Sequence, residues 1–111
     1  MVELYRANAQ RTGREPLDPS VTGTPVVGST DMGNVSYLVP AIHPMIKVAP
    51  LQISIHTPEF AAYAAAPEGD AAVVDGATAM ALTVADLWLA PGALADSRTA
   101  FATATGRAAR T

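Results

Sequence analysis

The stretch Asp70–Leu89 reads DAAVVDGATAMALTVADLWL and predicts the longest helix of the chain, which the pair Pro91-Gly92 would end. Apolar side chains recur in it at helical spacing, which indicates one face packed against a core. We expect Met80 and Trp88 in that core, and Asp75 and Asp86 in solvent on or near the opposite side. The predicted apolar face comprises Val73, Ala77, Met80, Val84 and Leu87, with Val74, Ala81 and Trp88 beside it.

Shorter helices are predicted on both sides of this one. Upstream, Thr57 is a good N-cap and Pro58 suits the first helical position, so a helix should run to Ala66 and end at 67–69. Downstream, residues 93–104 should form a last helix. Residues 1–12 predict another, with Gly13 as its stop.

Two segments between these helices have the pattern of strands. Residues 42–48 carry apolar side chains at even spacing, and residues 51–55 alternate apolar with polar. The sequence therefore predicts an α/β fold of two short strands and about four helices. His56 would lie at the polar side of a strand end, where mixed folds commonly build their sites.

Composition limits the class of protein. The chain has 111 residues, enough for one domain, and half of them are hydrophobic while 15% are charged. A composition this apolar in so small a chain predicts that another chain or a missing segment covers part of its surface. The net charge of −3 and the scattered basic residues argue against nucleic acid, and no cysteine offers a thiolate ligand. We see no signal peptide or membrane span and expect a cytoplasmic protein.

Two features could carry chemistry. His56 can bind zinc or a similar ion, although a lone histidine is more often a hydrogen-bonded structural residue, and the same applies to His43. In the string 28–36, GSTDMGNVS, the hydroxyls and amides of Ser29 and Thr30 at a helix start would suit a substrate carboxylate, or simply cap that helix. Asp31 could cap the helix, support a metal-bound histidine or lie on the surface. Glu59 needs no catalytic role, because an acidic residue in the first turn of the helix after Thr57 stabilises that helix.

Three strings, taken together and in order, resemble the C-terminal part of the members of a known enzyme family. These strings are 28–36, GSTDMGNVS; 39–44, VPAIHP; and 56–60, HTPEF. They resemble the aminoacylase and carboxypeptidase G-like metallopeptidases (peptidase family M-twenty), most closely the Xaa-Arg dipeptidase-like subgroup. Residues 76–83 and the opening 5–13 continue the resemblance, which therefore covers most of the chain.

The resemblance implies a zinc-peptidase-like α/β catalytic domain interrupted by a smaller inserted domain that often dimerises. Such enzymes hydrolyse amide bonds of N-acyl amino acids or dipeptides with water activated by divalent ions such as zinc, manganese or cobalt. His56 corresponds to a metal ligand of that family. Gly28, Ser29 and Thr30 correspond to residues at the substrate end of the site. For His43 the resemblance implies no catalytic role.

The family's other metal-site motifs, His-x-Asp, a bridging Asp and a Glu-Glu pair, have no counterpart here. Residues 1–111 are therefore expected to be one partial catalytic domain, without the inserted domain and the N-terminal half of the metal site. The start at Met1 within a helix also favours truncation. We expect weak or no metal binding, no activity in the isolated chain, and the rest of the enzyme or a second copy as a partner. The alternative from another class is a non-catalytic interaction module. A third is a small binding protein that uses the hydroxyls and amides of the string 28–36.

Overall fold

The computed structural model describes residues 1–17 and 30–106. Five helices lie in these ranges, close to the predicted positions: α1 (Val2–Arg11), α2 (Met32–Ser36), α3 (Pro58–Ala64), α4 (Pro67–Leu89) and α5 (Ala93–Thr105). Helices α1, α3 and α5 each pack against α4, which is therefore the central element of the fold. Four of the five helices, α1, α3, α4 and α5, correspond to the helices predicted from the sequence.

The predicted α/β fold is wrong for the part of the chain that the structure describes, because neither described range contains a strand. Residues 42–48 are coil, and residues 51–55 are coil and turn, with the Ile53 amide donating to the Pro50 carbonyl at 3.0 Å. A strand is stable only beside a partner strand, and Pro44 and Pro50 each remove an N–H donor from the ladder. Ile42 instead packs against the helical core.

The core lies between α1 and α4, where Tyr5 and Ala9 meet Ala79. The residues that α4 buries are small or polar: Gly69, Ala72, Ala79 and Thr83. Small side chains let two helices approach closely. The predicted packing of α4 is therefore reversed, since Val73, Met80 and Trp88 are 72%, 53% and 78% exposed.

Polar contacts explain why α4 turns this face inward. Asn8 is only 2% exposed, and its Nδ2 donates to Asp86 Oδ2 at 2.7 Å and to Thr83 Oγ1 at 3.4 Å. Arg14 follows α1 and forms an ion pair with Asp75, its Nη2 lying 2.8 Å from Oδ2. The prediction that Asp75 and Asp86 are solvated is wrong, because both carboxylates have partners that come from the amino-terminal segment.

Helix α4 begins three residues earlier than predicted. Pro67 occupies its first turn instead of ending α3, a position that proline tolerates because no intrahelical donor is needed there. Glu68 and Asp70 follow in that turn, where carboxylates favour the positive end of the helix dipole. The early start places Gly69 against the end of α3, with no room for a side chain between them.

Candidate functional site

His56 occupies an exposed turn directly before α3. Its φ of +65° makes it the one non-glycine residue with a positive φ in the described ranges. Residues other than glycine seldom adopt this left-handed backbone conformation, although histidine does so more often than most. Backbone strain of this kind is found more often at functional sites. This conformation makes His56 a candidate functional residue on structural grounds, without reference to the sequence strings.

The residue after His56 fixes this turn. Thr57 Oγ1 donates to the Ser54 carbonyl at 2.8 Å and accepts from the Phe60 amide at 3.2 Å. The second bond is the predicted N-cap of α3, and the first ties that cap to the preceding turn. Thr57 thereby holds the backbone on both sides of His56, while the imidazole remains open to solvent.

Replacing His56 by glycine should raise stability, because glycine adopts a positive φ without the penalty that a Cβ brings. We expect an increase in the free energy of unfolding of about 1 kcal/mol. Urea denaturation followed by circular dichroism would measure it, with His43→Gly as the control. Equal effects of the two substitutions, or a loss of stability in His56→Gly, would contradict the described backbone.

The described residues do not by themselves fit a catalytic metal ion. No group of three or more His, Asp or Glu side chains that could hold an ion occurs in residues 1–17 and 30–106. A catalytic ion takes about three protein ligands. Within these ranges His56 is therefore not part of a complete catalytic metal site.

The predicted substrate segment falls partly within the described residues. Gly28 and Ser29 lie outside them. Thr30 is exposed, and its hydroxyl lies 3.4 Å from the Met32 amide, so it accepts a hydrogen bond at the start of α2. Asp31 is the N-cap residue of α2, although its side chain makes no cap hydrogen bond. Of its three predicted roles, the structure thus gives no support to side-chain capping.

A shallow hollow of about 160 Å³ lies beside the start of α2. The residues that line it are Thr30, Met32, Gly33, Ser36, Ala41, Ile42 and His43. Thr30 and His43 both line this hollow, whereas His56 does not, and the volume of the hollow would hold only a small chemical group. The sequence did not predict that Thr30 and His43 lie in the same hollow. The only local indication is Pro40, because a proline ends the helical turns that follow α2.

Comparison with known proteins identifies peptidases as the class that this chain resembles. It is 31% identical to human Xaa-Arg dipeptidase over 99 residues, which are 89% of this chain and 22% of that protein. It is 30% identical to mouse Xaa-Arg dipeptidase over 101 residues, which are 91% of this chain and 23% of that protein. The chain thus spans less than a quarter of the length of these relatives.

These matches support a dipeptidase-like relationship. Because the matched stretch covers about nine tenths of this chain, it includes both His56 and α4. No protein-family profile matches the chain, and no solved structure matches it. The relationship therefore depends on the two dipeptidases and the strings that carry the resemblance.

Proposed function

We propose that this chain is the C-terminal segment of a metal-dependent amidohydrolase or dipeptidase. The complete enzyme would hydrolyse amide bonds of N-acyl amino acids or dipeptides. The observation that carries the proposal is the similarity to Xaa-Arg dipeptidases over about nine tenths of the chain. The chain spans so little of those proteins that residues beyond it would complete the site.

In this proposal His56 is the metal ligand that the segment contributes. Its exposed imidazole, its left-handed backbone and the two hydrogen bonds of Thr57 support that role. A neutral imidazole nitrogen would bind the ion, which in this class of enzyme polarises the amide and activates water. Gly28, Ser29 and Thr30 would contact the carboxylate of the substrate through hydroxyls and amides.

The isolated chain should be inactive, because a single ligand neither holds an ion firmly nor supplies a general base. The purified chain would be incubated with zinc, manganese or cobalt and a dipeptide that ends in arginine. We expect no hydrolysis above that of the metal salt alone. Hydrolysis by the chain that disappears in His56→Ala would contradict the proposal that most of the site lies elsewhere.

A second candidate function is a non-catalytic interaction module. The observation that favours it is the outward orientation of the most apolar side of α4, where Val73, Val74 and Trp88 are 72%, 64% and 78% exposed. Apolar side chains grouped on one side of a helix mark interaction surfaces. The module would bind through this side and would not require a metal ion.

A further inference from the structure

The apolar stripe of α4 lies on a different side of the helix from the residues that α4 buries. It comprises Val73, Ala77, Met80, Ala81, Val84 and Trp88, all exposed and none charged. Spacing of four residues arranges them in two parallel rows, with Ala77 at the centre of one row and Val84 at the centre of the other. The groove between the rows is a surface on which a further apolar element can pack.

The described part of the chain has almost no aliphatic core of its own. No valine, leucine, isoleucine, methionine, phenylalanine or tryptophan of residues 1–17 and 30–106 is buried. Most of these types are the ones that folded proteins bury most often. The buried apolar residues in these ranges are instead Tyr5, Ala9, Ala49, Ala72 and Ala79. The side chains that would form a normal core therefore face outward and need a further body to cover them.

The relatives have a body of the required size. The matched stretch is 22% of human Xaa-Arg dipeptidase, so more than three quarters of that protein lies outside it. A second copy bound through one helix pair would cover a single strip of each chain. Exposed apolar side chains also occur outside α4, at Tyr37, Leu38 and Leu51. A body more than three times as long as the stretch can cover several such places, which favours it over a second copy.

We propose that the apolar stripe is an interior packing surface of the complete enzyme, covered by an apolar face of the remainder. The remainder here means the part of the enzyme that lies outside this chain, so the proposal rests on the proposed function. An uncharged stripe fits this role, because permanent interfaces resemble a domain core cut in half. Helix α4 would then be packed on two sides, by α1 through polar contacts and by the remainder through apolar contacts.

A lipid bilayer is a competing occupant of the stripe. Helix α4 is long and apolar enough to cross a membrane by length and composition, with a mean hydropathy of 1.4 and 22% of that window buried. However, Asp86 accepts a hydrogen bond from Asn8, and Asp75 forms an ion pair with Arg14. Carboxylates and their polar partners along the middle of a helix are costly in a bilayer interior. The stripe therefore fits a protein cover better.

A chimera tests the cover, in which this chain replaces the matched stretch of human Xaa-Arg dipeptidase. Ala77→Lys lies at the centre of a row of the stripe, and Ala71→Lys is its matched control, exposed on α4 but off the stripe. In the chimera Ala77→Lys should lower the unfolding temperature by at least about 8 °C, because the ammonium group would be buried without a partner. Ala71→Lys should lower it by less than about 2 °C.

The same two substitutions in the isolated chain separate a lost contact from a damaged helix. Both positions are exposed there, so both variants should keep the helix content and the unfolding temperature of the unchanged chain within about 4 °C. Circular dichroism would measure both quantities. If the chimera with Ala77→Lys does not fold while the isolated Ala77→Lys chain keeps its helices, the loss comes from the cover and supports the proposal.

Equal unfolding temperatures of the two variant chimeras, or an unsubstituted chimera that does not fold, would overturn the proposal. Equal temperatures together with self-association of the isolated chain that Ala77→Lys abolishes would assign the stripe to a second copy. Co-sedimentation of the chimera with phosphatidylcholine and phosphatidylglycerol vesicles, lost in Ala77→Lys, would assign it to a bilayer.

Hydrolysis of a dipeptide ending in arginine reports on the proposed function separately. An active chimera that tolerates Ala77→Lys would overturn the cover and leave the proposed function in place. An inactive chimera that Ala77→Lys destabilises would contradict the proposed function and support the cover.

Discussion

Gly69→Ala is expected to lower the free energy of unfolding by about 3 kcal/mol, a large fraction of the stability of a small chain. Gly69 is buried in the first turn of α4, and a Cβ there would overlap the carbonyl oxygen of Ala64 and come within 2.7 Å of its carbonyl carbon. Both atoms belong to the backbone at the end of α3. The clash is relieved only if α3 moves away from α4.

A second glycine of the same helix provides the control. Gly76 is partly exposed, and a Cβ there would lie 3.4 Å from Ile46 Cδ1, an ordinary contact with the end of a flexible side chain. Alanine also favours the helix interior over glycine by about 1 kcal/mol. Gly76→Ala should therefore stabilise the chain, and urea denaturation of both variants would measure the contrast. Similar effects of the two substitutions would contradict the close approach of α3 and α4.

The sequence predicts where the helices lie because their signals are local. Thr57 and Pro58 specify the start of α3, and the hydrogen bond from the Phe60 amide to Thr57 Oγ1 confirms the cap. Pro67 was misplaced because the same residue can end one helix or begin the next. Its neighbours alone do not decide between these alternatives.

The packed side of α4 could not be predicted from hydrophobicity alone. The rule that apolar side chains are buried selects Val73, Met80 and Trp88, whereas the structure buries Ala79 and Thr83. The deciding partner is Asn8, more than seventy positions away in the sequence, whose amide needs acceptors on the facing helix. The apolar side that remains outside then becomes evidence about binding.

The strand prediction failed for a related reason. Alternation over residues 51–55 shows which side chains could share one face, but a sheet also needs a neighbouring strand, and none lies in the described residues. For the candidate site, His56 was singled out from its string and its place before a helix cap. Its positive φ and the pairing of Thr30 with His43 are properties of the folded backbone that no short pattern reports.

Exchanging the matched stretch of human Xaa-Arg dipeptidase for this chain would place His56 in the context of a complete enzyme. The chimera should be folded and should retain hydrolysis of a dipeptide ending in arginine. In that chimera His56→Ala should lower kcat/KM at least about a hundredfold, because an outer-shell partner of a metal ligand is already worth ten- to a hundredfold. The metal content of the purified protein should fall with it.

His43→Ala is the matched control, since the proposed function gives that imidazole no contact with the ion. The decisive measurement is the ratio of kcat/KM between these two variants of the chimera. We predict that His56→Ala loses both activity and bound metal while His43→Ala keeps its metal. Equal activity and equal metal content in the two variants, or a folded chimera that is inactive before any substitution, would contradict the assignment of His56 as the metal ligand of this segment.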